Sequence, residues 1–118
     1  MLFGLIKSKK IEAKPDDSKR SSKWPAVRKK HLEEHPTCAA CGNDKIHELQ
    51  VHHVKMFNKH PDLELCPENL ITVCEASGAK ICHLYLAHLG SWKRCNPNIR
   101  EMAAEYLKLV GEAEKEKL

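Results

Sequence analysis

Apolar positions along this chain fall into five short segments separated by polar turns. Residues 1–22 show no sustained periodicity, are rich in Lys and Ser, and contain Pro15-Asp16-Asp17, so they read as a flexible arm. Trp24-Pro25 opens the ordered part, because proline is tolerated in a first helical turn, and Ala26 to Glu34 is predicted to be a short helix. Pro36 disfavours helix at His35 and ends it. Cys38 to Gly42 reads as a tight knuckle, followed by the turn residues Gly42-Asn43-Asp44. Leu49 to Val54 is predicted as a strand, with Leu49, Val51 and His53 facing one way and Gln50, His52 and Val54 the other. Lys55 to Glu68 is a loop, and Leu70-Ile71-Thr72-Val73 is a second strand. After a loop over Glu75 to Lys80 containing Ser77-Gly78, Cys82 to Leu89 reads as a helix ended by Gly90. Asn98 to Glu114 is the strongest helix: Asn98 and Glu101 resemble a capping box, and Ile99, Met102, Ala103, Tyr106 and Val110 form one stripe. That stripe is a core or docking face, and Glu112 to Leu118 is expected to fray.

The segments suffice for one domain with tails. Hydrophobic content is 42% and aromatics only 5%, so the core is small and a metal or disulfides are expected to supplement it. The six cysteines could serve either way. Met1 to Ile6 is apolar but too short for a signal-peptide core, and Lys7, Lys9 and Lys10 follow at once, so the expectation is a cytoplasmic protein with reduced thiols. No stretch approaches the ~20 apolar residues of a membrane span. Charge is uneven: residues 1–30 carry ten Lys/Arg against Glu12, Asp16 and Asp17. The remainder is slightly acidic. A basic arm on such a domain suits a polyanion such as nucleic acid, although a charge run alone more often only solvates a tail.

Cys38 and Cys41 have the spacing of one half of a zinc thiolate site. Candidates for the other half are Cys66, Cys74, Cys82 and Cys95. Cys74, at a strand end, and Cys82, at a helix start, are the pair most able to approach a knuckle; Cys66 reads as a small buried hydrophobe and Cys95 as a partly buried thiol. A redox C-x-x-C expects a strand before it and a helix running on from it, whereas here a helix precedes and a turn follows.

His52-His53 closes the first strand, where neighbouring side chains project to opposite faces. One imidazole can hold a metal while the other takes a proton from water, and hydrolysis of a phosphodiester needs both. The bland alternative is two histidines bonded to backbone.

The combined pattern resembles the HNH, or ββα-metal, endonuclease family. The residues carrying the likeness are Cys38-Ala39-Ala40-Cys41, Leu49-Gln50-Val51-His52-His53-Val54, Asn69-Leu70-Ile71-Thr72-Val73-Cys74 and Cys82-His83, over about residues 37–90. The resemblance implies His53 as general base, His52 and His83 as ligands of a catalytic metal, and Asn69 as the residue bracing the loop that orients the base. It also implies Cys38, Cys41, Cys74 and Cys82 as ligands of a structural Zn²⁺. One departure is the segment Glu75 to Ile81 between the last two cysteines, longer than the family's two-residue spacer, though added loop length costs little. His88 lies five residues after His83, a poor offset for sharing an α-helical face, so it ranks as a phosphate contact or supporting residue first and an alternative ligand second. His47 and His60 read as exposed loop residues. Lys55, Lys59, Lys93 and Arg94 are candidate DNA contacts, although such residues more often only solvate the surface, and Trp92 reads as packing under the last helix.

The expectation is therefore an α+β protein: a basic arm over residues 1–22, a zinc-stabilised ββα-metal core over 23–95, and a C-terminal helix over 96–118 packing on it. Its expected activity is single-metal hydrolysis of double-stranded DNA, with Mg²⁺ or Mn²⁺ favoured and Zn²⁺ or Ni²⁺ admitted by the histidines. No specificity domain is recognisable, so cleavage is weakly specific or a partner protein supplies targeting. The rival is a zinc-dependent nucleic-acid-binding module without catalysis, which has no need of His53.

Overall fold

The computed structural model describes residues 20–75 and 81–116; most of the basic arm and the Ser77-Gly78 loop lie outside the described residues. The fold is a small α+β arrangement. Helix α1 (Trp24–Glu34) precedes the knuckle, strands β1 (Leu49–His53) and β2 (Leu70–Cys74) form a two-stranded sheet, a π-helical turn spans His83–Ala87, and helix α2 (Ile99–Glu116) closes the chain. Proline stands in the first turn of α1, and the helix ends at His35, whose N–H donates to the His31 carbonyl. The strands are antiparallel, pairing Leu49 with Cys74, Val51 with Thr72 and His53 with Leu70. This register puts Cys74 beside the start of β1 and both histidines toward its end.

Every residue of β2 is buried, which explains a run of five with no polar alternation. Both α1 and the π turn pack against both strands. The core joins Leu32, Leu49, Val51, Leu70, Ile71, Val73, Ala87, Ile99 and Ala103. The knuckle is fastened to the sheet by the Ala39 N–H donating to the Thr72 carbonyl at 2.9 Å. Gly42 has φ +79, a left-handed conformation that glycine adopts without penalty, and its N–H closes the turn onto the Cys38 carbonyl at 2.9 Å.

Two segments depart from the sequence expectation. Cys82 to Leu89 is not an α-helix: His88 N–H donates to the His83 carbonyl five residues back, giving a π turn. Leu89 at φ 54 and Gly90 at φ 86 then reverse the chain. Asn96 secures the reversal, with Nδ2 donating to the Leu86 carbonyl and its backbone N–H to the Ala87 carbonyl. The α2 stripe is also only partly core. Ile99 and Ala103 are buried, and Arg100 donates to the carbonyls of Glu68 and Leu70, but Met102 is 42% and Tyr106 47% exposed, with Leu109 at 54%. Of the five stripe residues only Ile99 and Ala103 are buried, so the stripe marks the packed face in part, and the helix packs chiefly on the π turn. The helix also continues to Glu116 rather than ending at Glu114.

Leu49 is 1% exposed, so Leu49→Ala should lower the unfolding free energy by about 3 kcal/mol. Tyr106→Ser should change it by less than about 0.5 kcal/mol, both measured by denaturant unfolding with zinc present. A cost at Tyr106 equal to that at Leu49 would mean the outer α2 face is covered in solution.

Candidate metal centres and cleft

Two clusters of metal-ligating side chains meet at one peptide bond. The thiols of Cys38, Cys41, Cys74 and Cys82 lie within 4.8 Å of one another, and so do ring nitrogens of His52, His83 and His88. Cys82 belongs to the first group and His83 to the second.

In the cysteine cluster, the Cys41 and Cys74 sulfurs are 3.7 Å apart and the Cys41 N–H donates to Cys38 Sγ at 3.4 Å. Cys38 is held down to about 4, first by a hydrogen bond from Cys82 and further by backbone N–H groups, against the opposing effect of burial. Cys74 is pushed up to about 11 by burial and by the Cys38 charge, and Cys82 is pushed up chiefly by its hydrogen bond to Cys38. The cluster thus accommodates one thiolate readily and resists the next. A divalent cation among the sulfurs reverses that resistance, and four convergent cysteines suit a structural ion.

The histidine cluster is sorted by hydrogen bonding. His83 Nδ1 lies 2.7 Å from Glu75 Oε1, and His88 Nδ1 lies 2.7 Å from the Arg94 carbonyl. Carbonyl and carboxylate oxygens only accept, so both Nδ1 atoms carry a proton, and in the neutral ring each Nε2 presents a lone pair. This is how ligating histidines are ordinarily oriented. His52 is 3% exposed, and its Nε2 is buried with no hydrogen-bond partner. Burial, then the neighbouring His83 and His88, push His52 down to about 2, so it stays neutral, as a ligand must. An orphaned nitrogen costs of order 1–3 kcal/mol, a cost that an ion in the cluster removes. The residues fit a metal, and the fit includes His88. The π turn brings residues five apart to one side, which is why the α-helical argument against His88 fails.

His53 points elsewhere. Its Nε2 is 2.9 Å from the Glu64 carbonyl, and its Nδ1 is 3.2 Å from Arg20 Nη1. Arginine has no acceptor, so Nδ1 accepts and Nε2 carries the proton. The ring is 5% exposed and lies 4.6 Å from Trp24; burial above all, and also the Arg20 charge, lower its pKa. Asn69 braces the loop supplying Glu64: Oδ1 accepts from the Lys55 N–H at 2.8 Å, and Nδ2 donates to the carbonyls of Lys55 and Leu63.

A cavity of about 190 Å³ joins the two halves, bounded by His52, His53, His83 and His88 and flanked by Arg20 and Arg28. Lys55, Lys59, Lys93 and Arg94 are exposed and do not line it. Trp92 is buried as expected, but against the rings of His83 and His88, each 5.1 Å away. Cys66 is only half-buried, its thiol donating to Glu68, and Cys95 donates to the Val54 carbonyl. Sequence reasoning missed Arg20, Glu64 and Glu75. Arg20 lay in a stretch read as arm, and neither carboxylate stands in a recognisable motif. His47 and His60 are exposed.

Cys74→Ser should remove one tightly held ion per chain by elemental analysis. His88→Ala should leave that ion in place and weaken a second, exchangeable one by more than about 10-fold. Loss of both ions from His88→Ala would make the clusters a single folding unit rather than two sites.

Among the described residues, no helix is long and apolar enough to cross a membrane. No family model matches the chain, and no curated protein or solved structure matches it either.

Proposed function

We propose that this protein is a metal-dependent endonuclease of the HNH type, hydrolysing phosphodiester bonds of double-stranded DNA. The observation that carries the reading is the opposite orientation of two consecutive histidines bordering one cavity. His52 places a ring nitrogen within 4.8 Å of those of His83 and His88 and has a buried nitrogen without a partner, while His53 holds a proton-accepting nitrogen outside that cluster. A binding module needs neither.

His52, His83 and His88 would hold the catalytic ion, which when bound neutralises charge on the phosphoryl and leaving oxygens. Three nitrogen donors shift the expected ion toward Zn²⁺ or Ni²⁺ and away from Mg²⁺ and Mn²⁺, which suit oxygen donors. His53 Nδ1 takes a proton from water. That oxygen bonds to phosphorus, and the ester bond to the leaving sugar oxygen breaks with its electron pair, which a second water protonates. The Glu64 carbonyl holds the Nε2 proton throughout and is favourably placed for the positive charge the ring acquires. Asn69 acts on this step by positioning the Glu64 loop. Cys38, Cys41, Cys74 and Cys82 would hold a structural Zn²⁺ that fixes the π turn.

His53→Ala should abolish cleavage of supercoiled plasmid, by at least about 100-fold, while the zinc content and DNA affinity persist. Wild-type protein that binds DNA but cuts nothing with any divalent metal would favour the non-catalytic module. Cleavage by His53→Ala at the wild-type rate would remove His53 from the mechanism.

A further inference from the structure

The nitrogen of His53 that must face the attacking water is already occupied. Arg20 Nη1 donates to it at 3.2 Å. The guanidinium rests between two aromatic rings, 5.1 Å from the Trp24 centroid and 4.7 Å from that of Phe57. Its backbone neighbour is anchored: the Ser21 N–H donates to both Glu64 carboxylate oxygens, at 3.0 and 3.2 Å. The Glu64 carbonyl meanwhile holds the far side of the same imidazole. Glu64, 6% exposed, thus brackets Arg20 and His53 as a pair at the wall of the cavity.

On the nuclease reading above, we infer that Arg20 is a substrate-operated gate: it caps His53 Nδ1 in the free protein and transfers to the phosphodiester when nucleic acid enters. Arginine to neutral imidazole is a single ion–dipole hydrogen bond, whereas arginine to a phosphodiester anion is charge-assisted and bidentate, roughly twice as strong per bond. The anchor at Ser21 fixes the backbone, and Arg20 and His53 line the same cavity, so a phosphate entering beside His53 comes within reach of the guanidinium. While Arg20 is on Nδ1, no water can hydrogen-bond there. Once a phosphate draws it off, water gains that position beside the phosphorus it is to attack. Arg20 therefore does two things: it keeps the base idle without substrate and it positions the anion when substrate arrives. It acts on the reaction through both, as a positioning residue.

The test uses the full chain loaded with metal. Arg20→Ala should fold and hold its ions normally, yet lose about 100-fold in kcat/KM on plasmid DNA. Arg20→Lys should recover only part, because an ammonium cannot form the bidentate contact. Added guanidinium ion should partly rescue Arg20→Ala and leave the wild type unchanged. Independently of cleavage, the side-chain NMR signals of Arg20 Nη and His53 Nδ1 should both move when a duplex oligonucleotide is added. Arg20→Ala cutting as fast as the wild type, or faster, overturns the positioning role. Arg20 signals that stay fixed with DNA bound overturn the exchange. If wild type cuts nothing but the Arg20 signals move, the nuclease reading fails while phosphodiester docking at Arg20 stands.

Discussion

The convergence of four thiols from three separate parts of the chain is the constraint on which the rest depends. Cys38 and Cys41 come from the knuckle, Cys74 from the end of β2, and Cys82 from the start of the π turn. Among the described residues the sheet has two strands, and the aromatic content is low, so apolar burial alone gives a marginal core. The four cysteines could hold a structural metal ion, and a Zn²⁺ bound there would contribute on the order of 10 kcal/mol, comparable with the whole stability of an ordinary domain. The longer segment between Cys74 and Cys82 weakens this little, because closure entropy grows only with the logarithm of loop length. Fixing Cys82 also fixes His83, its neighbour, and through the π turn His88. The cysteine cluster thereby sets the geometry of the histidine cluster without sharing a ligand with it.

A second layer of control lies in what each imidazole does with its other nitrogen. Glu75 and the Arg94 carbonyl take the Nδ1 protons of His83 and His88, and the Glu64 carbonyl takes the Nε2 proton of His53. Opposite tautomers follow, chosen by acceptors that come from three different loops. A change at any of these acceptors would alter which nitrogen is available, with no change in the histidines themselves. Asn69 belongs to the same layer, since it fixes the loop that carries Glu64.

The parts of this design that are local in sequence were legible in it. A C-x-x-C followed by a left-handed glycine, two β-prone runs and the Asn69 that precedes the second could each be read from adjacent residues. What could not be read depends on long-range placement. Arg20 meets His53 across 33 positions, and Glu75 reaches His83 across a segment with no periodicity. The π turn was missed for a different reason: its sequence, His83-Leu84-Tyr85-Leu86-Ala87, satisfies an α-helical pattern equally well. The contacts that hold the end of the turn come from outside it, where Asn96 satisfies the carbonyls of Leu86 and Ala87. Helix α2 shows the converse, a clear apolar stripe of which only Ile99 and Ala103 are buried.

Adjacent histidines on a strand would normally serve two separated faces, yet here both border one cavity. The strand ends at His53, and the chain turns at once into the loop whose Val54 N–H donates to the Asn69 carbonyl. At such an edge the two faces of the sheet are no longer divided by further backbone. His52 can look toward the π turn and His53 toward α1, with the space beyond the strand end shared between them. A ligand in that space would meet a cluster of lone pairs from one side and a single lone pair from the other.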